Sequence, residues 1–435
     1  MPLFHAFPSM SPLIGALKSL ATRTVTHVPT STPARTPFGG TTPFTPRVTP
    51  RTVTRIAALT AASLATLLVH SAARATDDGG ESLPSIMTRL RVQEAPQPIR
   101  ENPQWRAPRK VVLLAFGNDR GWEGRETAFA AAAPKTKVIV AKDMAAAVAA
   151  TADADVFVGF NPEICAARLV DNDKQLRWLA SLAAGVENCM AAPGGVRSRN
   201  LLLTNMRGVD SAVIAEHAVA LAMALAHSLD TFAVDTSKGQ WSNQHGNSAP
   251  IETLAGKTML VVGLGGIGTE VALRAHGLGM QVVATRDNVS NKPDFVSYVG
   301  TPEEMLTLAK SADVIVNAVP LTPQTKDMYD AKFFAVLKPS AYFVNVARGA
   351  SVVTADLVRA LNEHRLAGAG LDVVDPEPLP ADSPLWHAPH VIITPHISSR
   401  SDFPSEARWT LAVENLRRYA NGEKMLSVVD LAKGY

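Results

Sequence analysis

The segment TMLVVGLGGIG, Thr258–Gly268, decides the fold. Met259–Val262 is an unbroken apolar run, which reads as a strand buried on both faces, and the glycine-rich turn after it opens a helix-length segment from Ile267 to His276. A lone G-x-G-x-x-G is a weak signal. Between a buried strand and a helix it has a mechanism. Gly263 permits the tight turn, Gly265 lets the backbone approach a pyrophosphate, and Gly268 lets helix and strand pack closely. Gly266 and Ile267 stand at the helix start, where free N–H groups and the positive dipole end stabilise an anion. A dinucleotide is the ligand this arrangement fits.

The next strand, after Gly279, ends in VVATRD, Val282–Asp287. An acid at such a strand end accepts both adenosine ribose hydroxyls and repels a 2′-phosphate, whereas an Arg and a hydroxyl side chain attract that phosphate. Thr285 and Arg286 stand at the end of the run, so NADP(H) is the expected cofactor. Asp287 keeps NAD(H) open as the alternative, because a register shift of one residue brings its carboxylate onto the ribose.

Strand-like runs flank this unit on both sides. KVVLLAF (Lys110–Phe116), ADVFVGF (Ala154–Phe160) and LLLTN (Leu201–Asn205) precede it, with Ala-rich helical segments between them and a long apolar helix from about Ser211 to His227. DVIVNAV (Asp313–Val319), YFVNVA (Tyr342–Ala347), GAGLDVV (Gly368–Val374) and HVIITP (His390–Pro395) follow it. The alternation predicts an α/β protein with two doubly wound domains in tandem. Residues 109–227 form the first domain, completed by 403–435, and residues 228–402 the second, with 76–108 as a Pro- and charge-rich linker.

The chain has 435 residues and a formal net charge of +3. Residues 1–75 carry seven Lys or Arg and no acid, so the remainder has a net charge of −4 and lacks the basic face that nucleic acid requires. Nine prolines among Thr and Ser in the first 50 residues predict disorder. Residues 51–75 have the layout of a secretory signal: Arg51 and Arg55, an uncharged run from Ile56 to Val69, then Ala73-Arg74-Ala75. That run is too short to be a stable membrane span. An exported or periplasmic protein is expected, with a true start near Val53; a cytoplasmic or organellar location is the alternative. Cys165 and Cys189 are the only cysteines, so a Cys-rich zinc site is excluded, and no metal is assigned.

Further motifs lie at strand ends, where an open α/β sheet binds ligands: NVARG (Asn345–Gly349), GLDVVDPEP (Gly370–Pro378) and ITPHISS (Ile393–Ser399). Together with LAAGVEN, LTNMRGVDSAVIAEH, PLTPQT and PLW, in this order over residues 110–435, they resemble the D-isomer-specific 2-hydroxyacid dehydrogenases of the glyoxylate/hydroxypyruvate reductase type. The resemblance implies a flavodoxin-like substrate domain, a Rossmann NAD(P)-binding domain, and a homodimer joined through the helix near Ser211–His227. It also implies reduction of a small 2-oxo acid to the D-2-hydroxy acid, with Arg348 as substrate clamp, Glu377 as acidic partner and His396 as proton donor. The chemistry agrees: histidine titrates near neutral pH, a neighbouring carboxylate orients it, and a guanidinium matches a carboxylate in two-pronged fashion. By the same resemblance, backbone groups around Ala184 and Gly185 cradle the substrate carboxylate, Val319 and Pro320 lie along the cofactor, and Asp372 faces its nicotinamide side. His387 and His390 lack the TPH context and read as surface or packing residues. A dinucleotide-sensing binding protein of the corepressor kind is the alternative to an enzyme.

Overall fold

The computed structural model describes residues 81–114, 125–159, 175–191, 196–243, 245, 251–290, 292–401 and 406–435. The leader and signal-like segment, residues 1–75, lie outside the described residues, as do Cys165 and the expected start of the last helix, 403–405.

The stretch expected to be a linker is folded from its residue 81 onward. A helix, Leu83–Arg89, is followed by a strand, Glu94–Pro98 (β1). Ile86, Leu90 and Ile99 are buried in one core with Trp178, Trp409 and Tyr419. The prolines that suggested a linker have other uses. Pro84 sits in the first turn of the helix, where no N–H is needed, and Pro96 and Pro98 lie in a two-stranded ribbon rather than a central strand.

Lys110–Leu114 (β2), Lys137–Ala141 (β3), Val156–Gly159 (β4), Trp178–Ser181 (β5) and Leu202–Thr204 (β6) form a parallel sheet in the order β3-β2-β4-β5-β6. That is the flavodoxin-like order. β3 had been hidden in an Ala-rich stretch that reads as helix; it is an edge strand of five residues. The helix Glu406–Asn421 returns to this half of the molecule. Its Tyr419 ring stacks on Trp178 with centroids 5.0 Å apart, and its Trp409 meets Phe129 edge-on at 6.3 Å.

The second sheet has seven parallel strands: Thr258–Val262 (β7), Gln281–Thr285 (β8), Tyr298–Gly300 (β9), Val314–Asn317 (β10), Tyr342–Asn345 (β11), Gly368–Leu371 (β12) and Val391–Ile393 (β13). Their order is β13-β12-β11-β10-β7-β8-β9. The chain winds one way from β7 to β9 and the other way from β10 onward, which opens a crevice beyond the carboxyl ends of β7 and β10. A final strand, Lys424–Leu426 (β14), pairs antiparallel with β1.

The long helix Ser211–Ala226 corrects the expected boundary at 227/228. It precedes the second domain in sequence, but its Ala215, Ala218, Leu221, Ala222 and Leu225 share a core with Val261 of β7 and Val344 of β11. Chain order is not packing order here, because a helix lined with alanine and leucine settles on whichever apolar face lies nearest. Ile86→Ala is expected to cost about 3 kcal/mol, the range for emptying a buried aliphatic site, read as a shifted urea midpoint. An unchanged midpoint would mean that this stretch is a linker after all.

Candidate active site

The site is built at the carboxyl ends of β7, β10, β11 and β12, and its first side chain is held from the backbone. Asn345, the last residue of β11, is fully buried. Its Oδ1 accepts from Ala347 N at 3.1 Å and from Asn317 Nδ2 at 3.0 Å, while its Nδ2 donates to the Arg348 carbonyl at 3.0 Å. Asn317 Nδ2 also donates to Ser351 Oγ at 2.8 Å, and that hydroxyl donates to the same Arg348 carbonyl at 2.7 Å. Two amides and a hydroxyl therefore fix the Arg348 backbone where β11 leaves the sheet.

The Arg348 side chain crosses to the other half of the molecule. Its Nε donates to Glu187 Oε1, and its Nη1 donates to the Ala347 carbonyl at 2.7 Å. Its Nη2 lies over Gly185, 1.7 Å from where a Cβ at that position would be. Only glycine leaves room for the guanidinium. Ala184 is next to it, with its carbonyl accepting from Asn205 Nδ2 at 2.8 Å, so the loop that approaches Arg348 is itself braced. Glu187 is a site residue that the sequence reading passed over, although it lies two positions beyond Gly185 in LAAGVEN. Burial alone would raise its carboxyl, but the Arg348 guanidinium beside it, with His396 contributing, holds it below the usual carboxylate range.

His396 and Glu377 meet as expected. His396 Nδ1 lies 2.8 Å from Glu377 Oε2, and Glu377 Oε1 accepts from Val374 N at 3.1 Å. A carboxylate only accepts, so Nδ1 carries the hydrogen, and Nε2 is the atom from which a protonated ring can release a proton. His396 has φ 51°, a left-handed conformation that a side chain adopts only when its surroundings impose it.

Asp372 supplies that constraint. Its side chain is buried and both oxygens accept hydrogen bonds. Oδ1 accepts from Thr394 Oγ1 at 2.7 Å and from Ile397 N at 2.9 Å, and Oδ2 accepts from Ser398 N at 3.1 Å. Its own carbonyl accepts from His396 N at 2.8 Å. Burial opposes ionisation, yet the bonds from Ser398, Thr394 and Ile397 hold this carboxyl below its usual range. His217 joins from the long helix, its Nε2 lying 2.9 Å from Thr394 Oγ1. Thr394 donates its one hydrogen to Asp372, so His217 donates to Thr394. Nothing in the local sequence pointed to His217, which meets Thr394 across 177 residues. His387 is exposed, and His390 bonds Asp230 at 3.2 Å, away from this group.

The glycine loop fits a dinucleotide. Gly263 has φ +93°, and a Cβ at Gly268 would lie 2.0 Å from the Gly263 carbonyl oxygen. A Cβ at the exposed Gly265 would meet nothing within 4 Å, so that face stays open. The helix Gly266–Gly277 starts there without a side-chain cap, which leaves its first N–H groups for a phosphate. Ile267 is half-buried behind the loop, Val319 packs against the Gly263 turn, and Pro320 is exposed beside it. At the end of β8, Thr285 is buried and its carbonyl accepts from both Gly263 N and Leu264 N at 3.1 Å. Arg286 is half-exposed, so of the expected pair it is the side chain within reach of a ligand.

Residues 219–398 match the sequence profile of the D-isomer specific 2-hydroxyacid dehydrogenase NAD binding domain. A glyoxylate reductase from Thermococcus litoralis is 33% identical over 260 residues, which is 59% of this chain and 77% of that protein. Glyoxylate/hydroxypyruvate reductase B of Citrobacter koseri is 32% identical over 273 residues, 61% of this chain and 82% of that protein. The solved D-isomer specific 2-hydroxyacid dehydrogenase of Xanthobacter autotrophicus Py2, in complex with NADPH and MES, has a TM-score of 0.62 at 27% identity, covering 75% of this chain and 99% of that one. By these likenesses the chain belongs to the D-isomer specific 2-hydroxyacid dehydrogenase family and is an oxidoreductase that works with a nicotinamide dinucleotide.

Proposed function

We propose that the enzyme reduces a small 2-oxo acid of the glyoxylate or hydroxypyruvate class to the D-2-hydroxy acid, with NADPH preferred over NADH. The observation that carries this reading is the convergence of Arg348 on Gly185 beside the His396–Glu377 pair. The bound nicotinamide supplies a hydride to the substrate carbonyl carbon. Arg348 holds the substrate carboxylate through the nitrogen that lies over Gly185, and its charge draws electron density toward the carbonyl oxygen. His396 Nε2 gives its proton to that oxygen as the charge develops. Glu377 keeps the ring turned so that Nε2 faces the substrate, and stabilises the imidazolium before transfer. The half-exposed Arg286 at the end of β8 supports a 2′-phosphate. So does the relative solved with NADPH.

Initial rates of NADPH and NADH oxidation with glyoxylate and with hydroxypyruvate test this. NADPH should be the better substrate, and Arg348→Ala should lose on the order of 10³-fold in kcat/KM. Gly185→Ala separates binding from folding. The new methyl displaces the flexible end of Arg348, so KM for the oxo acid should rise about tenfold while stability moves by less than about 0.5 kcal/mol. Full activity in Gly185→Ala would remove Arg348 from substrate binding.

The same reading makes the enzyme a homodimer. The long helix Ser211–Ala226, where the contact was expected, buries its apolar residues in the second core, whereas the helix Leu229–Ser237, bent 76° from it, exposes Leu229 and Val234, and Trp241 beyond it is fully exposed. A second copy covering this apolar surface would explain it. Light scattering at micromolar concentration should give twice the monomer mass, and Val234→Asp should return the monomer. No single helix among the described residues is long and apolar enough to cross a membrane.

We also propose an exported protein, as the layout of residues 51–75 implies. Fractionation with N-terminal sequencing should find the mature chain outside the cytosol and starting near Thr76. A cytosolic protein retaining residues 1–50 would overturn this.

A further inference from the structure

We propose that Tyr435 sets the cofactor preference by holding Asp287 away from the adenosine ribose. The inference rests on the NADPH reading above and adds a residue from the other half of the molecule. Tyr435 Oη donates to Asp287 Oδ2 at 2.7 Å. Asp287 lies two residues beyond β8, the strand whose last carbonyl is bonded to the glycine loop. An unengaged carboxylate there would accept from the ribose hydroxyls and repel a 2′-phosphate. With one oxygen bonded to Tyr435 it is drawn toward the first sheet, while Arg286 stands next to it at the strand end.

The tyrosine is well placed to do this because its segment is fixed. Val429 is buried, and its N–H bonds the Leu203 carbonyl at 2.9 Å; Leu431 packs in the same core. Asp430 then winds the chain into a turn. Its Oδ1 accepts from Ala432 N at 2.9 Å, and its carbonyl accepts from Gly434 N at 2.7 Å. Burial, together with the Asp287 carboxylate and against the nearby Arg207, pushes the Tyr435 hydroxyl up to about 12, so it stays a donor at any working pH. Hydroxyl and carboxylate thus form a bond between an anchored turn on one sheet and the specificity-determining strand end of the other.

Equilibrium binding of NADPH and NADH to the full chain, followed by nicotinamide fluorescence, tests the proposal without turnover. The four proteins are the wild type, Tyr435→Phe, Asp287→Asn and the double variant, each checked for an unchanged melting temperature. The wild type should favour NADPH. Tyr435→Phe keeps the ring and removes the bond, so the NADPH:NADH affinity ratio should fall by about three- to tenfold, the scale of one hydrogen bond. Asp287→Asn should not lower the ratio, and in that background Tyr435→Phe should have no further effect. A wild type that prefers NADPH, with the same ratio in Tyr435→Phe, overturns the role of Tyr435 and leaves the cofactor reading standing. A fall in the ratio that persists in the double variant also overturns it, since the effect would not run through Asp287. A wild type that prefers NADH overturns the cofactor reading, and this inference with it.

Discussion

The buried carboxylate of Asp372 is the constraint on which the chemistry depends. A carboxylate taken out of water costs several kcal/mol unless its oxygens are satisfied, and here every bond that satisfies it comes from the loop carrying His396. The loop is therefore folded around the charge. That is why His396 can keep a left-handed backbone conformation that would otherwise relax. Arg348 is fixed by a similar device of different chemistry, in which neutral amides, Asn317 and Asn345, are satisfied by each other and by the backbone they hold. Arg348 follows β11 and Asp372 follows β12, neighbouring parallel strands, so their relative position follows from the sheet.

The two side chains, Arg348 and His396, each have an acidic partner of their own. Arg348 pairs with Glu187, and His396 with Glu377. On the reading proposed above, a substrate carboxylate at Arg348 would add a negative charge close to Glu187, and the guanidinium would serve both. It can do so because a guanidinium presents several edges: Nε is directed at Glu187 while Nη2 faces Gly185. A lysine, as a point charge, would have to choose between the two. Glu187 thus offsets the charge of the guanidinium and fixes its orientation.

Much of this was legible in the sequence, and what was missed shares a cause. The glycine loop, the strand QVVAT and the pair Glu377 and His396 were readable because local pattern and motif spacing carry them. The short edge strands β3 and β9 were not, since the first is five residues set among Ala-rich helical segments and the second is only three residues long. Glu187 and His217 were overlooked because their meaning comes from partners more than 150 residues away. For Asp372 the sequence shows a carboxylate after a buried strand, not that its oxygens bond the loop carrying His396. The folded stretch from residue 81 was obscured by prolines that mark its helix start and its ribbon strand.

The way the two halves are joined follows from their separate cores. Among the described residues, the apolar clusters of the second sheet contain no residue from the first, and the reverse also holds. What crosses between them is polar: Arg348 to Glu187, Arg408 to Asp210 at 2.7 Å, Arg91 to Glu270 at 3.5 Å, and Tyr435 to Asp287. An apolar seam would have to be exposed to water whenever the cleft opened, at about 25 cal/mol for each Å². Ion pairs with partly exposed partners cost far less to part, on the order of 1 kcal/mol each, because water replaces what is lost. A crevice that must admit a dinucleotide and a small acid is better closed by contacts of the second kind. Two of them, at Arg348 and Asp287, lie where the proposed reading puts the substrate carboxylate and the adenosine ribose.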